Sequence, residues 1–333
     1  MMKTTLFTFI FSAFAMTLGA QTFGLEYIGE LQTDFKRAKM ANLLQLSAEI
    51  PFANKFSFNV SSVSVASTDT EPLIEDLQGY SNIDAQNIPF ALSVAGFSWN
   101  INEHHSLFAG IRRMDEDYFC SEVLSLFTNS SAGVFPTISA NYDIATYPCA
   151  SLGIHYIYNK KNLTFQSSLY NGTGNYRFSG RENVFRICPK TDGVFALAQT
   201  EYRFKGSRYY LGASLHCSDL RQTGRQNLRP TVWGYAEQAL PAGFTLLAAY
   251  SHAFTPNNDC RNYCAVGGKY TYKKAEFGIY SDYTCISGVN EFATELTGSI
   301  ALTEYLSLQP AMHLVTTDGR TKCIGMLRTT VSL

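Results

Sequence analysis

Charge is scarce in this chain. Asp, Glu, Lys and Arg supply 16% of its 333 residues, below the ~25% usual for soluble domains. The net charge is −1 and no basic tract occurs, so the electrostatic footprint of a nucleic-acid binder is missing and no nucleic-acid partner is expected. Long apolar runs are missing too. Past residue 20 nothing approaches the ~18 apolar residues that a membrane-crossing helix needs. What is plentiful is aromatic: 14% of the chain, with 20 Tyr and 24 Phe. A soluble β-protein fits such a composition, and so does a barrel whose outside has no use for charge.

The first twenty residues form a separate unit. Lys3 precedes "LFTFIFSAFAMTL" and then Gly19-Ala20: a charged start, a short apolar centre and small residues at a cut, the pattern of a secretory signal peptide. The expectation is an exported chain with residues 21–333 as a single domain.

Within that domain the writing has period 2. In "GSIALTEYLSLQPAM" (298–312), Ile300 and Leu302, then Leu306, Leu308 and Met312, alternate with polar or small residues around a break at Thr303-Glu304-Tyr305. Such alternation marks strands with one oily and one wet face. The same reading predicts sixteen strands, near 22–35, 41–50, 56–68, 88–101, 105–115, 149–158, 163–171, 194–204, 207–218, 231–240, 244–254, 264–272, 275–285, 291–302, 306–317 and 322–333. Most are long against the usual ~5–6 residues and match the ~9–11 of a membrane-crossing strand. Every second connection is tight, as in "NKKN", "KG" and "YKK", while 69–87, 116–148, 172–193, 219–230 and 255–263 are long. Tight turns on one side and loops on the other predict an all-β, closed antiparallel transmembrane barrel with both termini on the short-turn side. The connections 36–40, 286–290 and 318–321 are brief where this pattern expects loops.

The faces carry a second message. Leu163, Phe165 and Leu169 share one side of their strand; Val194, Ala196, Ala198, Tyr202 and Phe204 share one side of theirs. Opposite them stand Glu201 and Arg203, and on other strands Glu276, Asp282, Glu295 and His313. A Lys or Arg facing mid-bilayer costs ~2–4 kcal/mol, so these groups are expected to line a water-filled pore. Tyr170, Tyr210 and Tyr280 share the inward phase, as sugar-stacking faces or as girdle aromatics; the direction of Trp233, Tyr235 and Glu237 stays open.

All eight cysteines, Cys120, Cys149, Cys188, Cys217, Cys260, Cys264, Cys285 and Cys323, fall on the long-loop side. An even number on the outer side of an exported protein predicts disulfides that staple loops, with Cys120–Cys149 and Cys260 or Cys264 with Cys285 as candidate pairs.

The longest loop follows the fifth strand: "RRMDEDYFCSEVLSLFTNSSAGVFPTISANYDIATYPC" (112–149). Arg112 and Arg113 are followed at once by Asp115, Glu116, Asp117 and Glu122. Opposed charges across a waist would sort solutes by size and charge; a local salt-bridge cluster on a solvated loop is the other reading.

The stretch "SLFTNSSAGVFPTISANYDIATYPCASLGIHY", with "IEDLQGYSNIDA" upstream and "SLYNG", "GVFALAQTEYRF", "VWGYAEQAL" and "ELTGSIALTEYLSLQPAMHLV" downstream, resembles the carbohydrate-selective outer-membrane porins of the OprB type. The resemblance implies a sixteen-stranded barrel, an inward third loop and passive diffusion of small sugars, with outer-membrane lipid as surroundings, a homo-oligomer as an option and no cofactor. The departures are a short chain, "GIRRMDED" where the family has Gly-Lys and one acid, the cysteines, and a final Leu333 in place of an aromatic.

Other classes find less support. His216 near Ser218 and His252 beside Ser251 match no nucleophile motif, and adjacent strand residues face opposite ways, so no enzyme is expected. "TPNNDCRNYC" (255–264) offers Asn and Asp oxygens but no EF-hand or zinc spacing; no metal is assigned. A general, non-selective porin and a non-conducting barrel acting as receptor or adhesin remain as alternatives.

Overall fold

A computed structural model describes residues 21–218 and 228–333. The expected signal peptide, residues 1–20, and the stretch 219–227 of one predicted long loop lie outside the described residues.

Sixteen strands close into one antiparallel barrel in chain order. They are β1 (Thr22–Thr33), β2 (Ala38–Ala53), β3 (Phe56–Ser67), β4 (Ile88–Asn100), β5 (His105–Arg112), β6 (Ser151–Lys160), β7 (Leu163–Asn171), β8 (Val194–Phe204), β9 (Ser207–Cys217), β10 (Leu228–Ala239), β11 (Phe244–Ala253), β12 (Cys260–Tyr272), β13 (Ala275–Ile286), β14 (Val289–Ala301), β15 (Leu306–Thr317) and β16 (Arg320–Ser332). Closure runs from Glu26 opposite Ser332 to Thr33 opposite Gly325. Leu25 and Leu333 extend it by exchanging both backbone bonds, at 3.1 and 2.8 Å. A closed sheet has no edge, so every strand amide finds a partner without water.

The outer face is apolar because the alternation demands it. Leu211, Val266, Ile279, Leu296, Met312 and Leu327 all point out and are exposed. Near the tight turns the outside turns aromatic, with Phe56 stacked on Trp99 (5.7 Å) and Phe244 on Tyr270 (4.5 Å), a girdle of the kind that sits at a membrane–water boundary.

Three of the two-residue connections, Lys205-Gly206, Ser287-Gly288 and Asp318-Gly319, have both φ angles positive, as a type I′ hairpin requires. The second and third lie on the long-loop side, which explains the brevity of two expected loops.

Several strand ends shift by two to four residues from the sequence expectation, two of them for a visible reason. β12 begins at Cys260, four residues early, because a register shift between Cys260 and Tyr263 breaks the period-2 pattern. β5 stops at Arg112, and Met114–Glu116 forms a 3₁₀ turn instead.

The disulfide expectation is corrected: all eight cysteines are free thiols. Cys120 donates to the Asp115 carbonyl at 3.2 Å within its own loop. Cys260 is buried and sits 3.0 Å from the Thr284 hydroxyl. Cys264 lies opposite Tyr283 and Cys285 opposite Asn290, so that pair is diagonal, ~7–8 Å in such a sheet and too wide for the ~3.8 Å Cβ spacing of a disulfide.

Candidate functional site: the third loop and the passage beside it

Two loops turn into the barrel, residues 68–87 (L2) and 113–150 (L3). L3 is unusually greasy for a connection. Met114, Phe119, Val123, Leu124, Phe127, Phe135 and Ile138 are all buried, and what buries them is the inner wall of β6–β13. Phe119 lies 5.1 Å from Trp233, Phe127 4.9 Å from Tyr280 and Phe135 4.9 Å from Tyr263. The wall makes room: a Cβ on Gly278 would stand 2.8 Å from Leu126 and Phe127, and one on Gly212 2.2 Å from the Trp233 ring. Trp233, Tyr235 and Glu237 thus face inward, the point that sequence left open.

On the wall from β13 to β1, carboxylates replace aromatics. Glu295 accepts from Thr128 N (2.9 Å), Thr128 Oγ1 (3.0 Å) and Asn129 N (3.0 Å). Glu291 accepts from Leu77 N and Gln78 N at 2.7 and 3.0 Å. Asp282 takes Gln78 Nε2 and Asn129 Nδ2 at 3.1 and 3.3 Å. Glu30 takes Ser81 Oγ at 2.6 Å and Arg328 Nε at 2.7 Å. Each carboxylate is fully buried, and the donors are mostly amides of L2 and L3. A charged acceptor makes such bonds about twice as strong as neutral ones. The loops bind each other as well, Asn82 N to Thr128 O at 2.7 Å and Ser130 N to Gly79 O at 2.8 Å.

The predicted pore-lining residues therefore divide. Glu201, Arg203 and Glu276 face in and keep partial exposure, whereas Asp282, Glu295, His313, Tyr170, Tyr210 and Tyr280 face in but are covered. An alternating strand shows which face is inner; it does not show that a loop will lie on it. The missed signal was the run of Leu, Phe and Val between residues 119 and 138.

The predicted waist charges pair locally and do not oppose each other across open space. Arg112 bonds both oxygens of Asp117, Nε to Oδ2 at 2.6 Å and Nη2 to Oδ1 at 2.5 Å. Arg113 bonds Glu116 and stands 3.6 Å from Asp115. Burial works against the Arg113 charge, but Asp115 and Glu116 outweigh it and hold its pKa above the ordinary value. Glu122 ties L3 to Arg208 of the wall. The exposed Cys120 sits beside Asp115, Asp117 and Glu116, and desolvation first, then these charges, raise the pKa of its thiol.

Between L3 and the β1–β2–β16 wall a cavity of about 520 Å³ stays open. Its polar lining is Glu26, Gln45, Asn82, Arg113, Asp115 and Arg328, and Tyr118, Phe127 and Tyr147 add aromatic surface. The Arg113 guanidinium rides over the Tyr147 ring at 5.5 Å. Arg113 Nε and Nη1 have no hydrogen-bond partner among the described residues.

A closed sixteen-stranded antiparallel barrel, apolar outside and entered by its third loop, is the porin fold. Among solved structures the chain is similar to Pseudomonas putida OprB at high pH, with a TM-score of 0.78 and 14% identity over 98% of this chain and 96% of that one. It is also similar to a loop-L8 deletion mutant of OmpT, an outer-membrane protein of Vibrio cholerae, with a TM-score of 0.64 and 9% identity over 94% and 99%. A mutant of the Rh. blastica porin aligns with a TM-score of 0.62 and 8% identity over 94% and 100%. No protein-family model and no curated protein sequence matches the chain.

Proposed function

We propose that the chain is an outer-membrane porin through which small hydrophilic solutes, neutral sugars foremost, diffuse passively along the passage beside β1, β2 and β16. L3 is its constricting element. One observation carries the reading: a loop packed against the inner wall leaves about 520 Å³ of open space on one side. Two cations, Arg113 and Arg328, and two carboxylates, Glu26 and Asp115, face that space, a balanced lining that favours neutral solutes over ions. Tyr118 and Tyr147 offer ring faces, Gln45 and Asn82 planar amides, the mixture that a sugar meets with both its faces and its hydroxyls.

In this reading residues 1–20 direct export and are removed, the barrel sits in the outer membrane, and it performs no catalysis. The OmpT structure has a trimer form; a homo-oligomer is proposed for this chain by likeness of fold. Liposome swelling tests the whole. Monosaccharides should enter faster than amino acids or salts of the same size. Equal rates would replace the sugar channel by a general porin, and absence of swelling with every solute would leave a receptor barrel.

A further inference from the structure

One rung of the barrel wall faces the passage with its polar groups unanswered. Glu26 of β1 stands directly opposite Gln45 of β2 and Ser332 of β16. Residues so paired share a face, with Cβ atoms ~4.5–5.5 Å apart. Glu26 and Gln45 line the space of about 520 Å³, are half-buried and keep open polar surface; Ser332 is exposed. Glu26 has no cation and no donor among the described residues. The neighbouring Arg328 gives its Nε to Glu30 at 2.7 Å and its Nη2 to Asn82 at 2.6 Å.

Other inward acids are answered. Glu201 has Arg203 and Arg208 at 3.7 and 3.6 Å, Glu276 takes Lys269 Nζ at 2.8 Å, and Glu237 takes Val123 N at 2.8 Å. Glu49, exposed on the same face of β2 and four residues nearer the tight turn, adds a second carboxylate without a cation. The cations of the lining are already matched, Arg328 by Glu30 and Arg113 by Asp115 and Glu116. Once these partners are counted, the passage tips negative at Glu26.

An ammonium group suits this rung. It brings three N–H donors, and the rung offers three acceptors in the Glu26 carboxylate, Gln45 Oε1 and Ser332 Oγ. An ion pair makes the first of these bonds about twice as strong as a neutral one. One step along the inner face, Ile28 stands opposite Leu43, and both line the same space, an apolar shelf for the C–H face of a sugar ring. A zwitterionic α-amino acid fits poorly. Arg328, the cation on this wall, pairs in register with Glu30, four residues along β1 from Glu26 and so ~13 Å away at the rise of a strand.

We infer, on the sugar passage proposed above, that this rung is a subsite for the ammonium of an amino sugar: the passage admits and briefly holds hexosamines and turns back acid sugars of the same size. The full chain in liposomes is offered labelled glucose, glucosamine, N-acetylglucosamine and glucuronate at neutral pH, and potassium current is recorded in planar bilayers with each sugar. Glucosamine should enter faster than glucuronate by ~5-fold, the worth of one unit charge near contact in water. It should also block the potassium current with rising dose, and uncharged N-acetylglucosamine should not. Glu26→Gln should erase most of the preference and the block. Gln45→Lys, which sets a cation opposite Glu26, should invert the ratio. An unchanged ratio in Glu26→Gln, or equal block by glucosamine and N-acetylglucosamine, would overturn the subsite. Each variant must keep the gel-mobility shift of a closed barrel; should Glu26→Gln lose it, Gln45→Lys decides by the same ratio. Glucose entry with no preference for glucosamine would strike the subsite and leave the sugar passage standing. Exclusion of glucose by the wild type would refute the passage, and the subsite with it.

Discussion

The two halves of the barrel hold the same loop by opposite means. From β6 to β13 the wall meets L3 with rings: Trp233, Tyr263 and Tyr280 against Phe119, Phe135 and Phe127. From β13 round to β1 it meets L2 and L3 with carboxylates that accept backbone amides. The first kind of contact is non-directional and excludes water; the second fixes the backbone atom by atom. The open space lies between the arc that begins at β16 and the edge of the loop. Open space survives where the loop is held at its margin and not pressed flat.

The largest expected effect comes from the greasy half. Phe135→Ala removes a fully buried ring and should cost ~3–5 kcal/mol, seen as a lower temperature of gel-mobility loss together with a raised conductance. No change in either would mean that the ring packing does not hold L3. On the carboxylate side, Glu295→Ala orphans the backbone amides of Thr128 and Asn129, while the Thr128 hydroxyl keeps His313 Nε2 at 3.0 Å; each amide left without water costs ~1–3 kcal/mol. The variant should add current noise more than it lowers stability, and a quiet channel would assign the anchoring to the aromatics alone.

A smaller effect tests L2 by pH. Burial first, then the charge of Glu291, raises the Asp76 carboxyl from 3.8 to about 6. A raised carboxyl pKa means that the folded loop prefers the proton, so this contribution is full below pH 3.8 and is lost as the pH climbs through about 6. Amide exchange in residues 72–86 should therefore quicken across that window, and Asp76→Asn should flatten the profile. A wild-type profile already flat would show that Asp76 does not govern docking.

Much of this molecule was legible beforehand. Period-2 alternation placed the strands and their inner faces, including Glu201, Arg203 and Tyr170, since lipid penalises any other orientation. The strand starts at Cys260 and Leu228 were not legible, the first because a bulge hides the period. Nor was the cover over Glu295 and Tyr280, because alternation is local and the covering residues are more than a hundred positions away. Composition misled on sulfur: cysteine count speaks of compartment, but pairing needs register as well as a shared face, and Cys264 and Cys285 share the face but not the register.

The hairpin at Asp318-Gly319 has a use that follows from its bareness. Nothing lies within 4 Å of a side chain added to Gly319, and the strands it joins belong to the arc flanking the passage. A peptide inserted there would stand over the long-loop end of the barrel like a shutter beside a doorway, and its length would set how far the open space next to β16 is shaded.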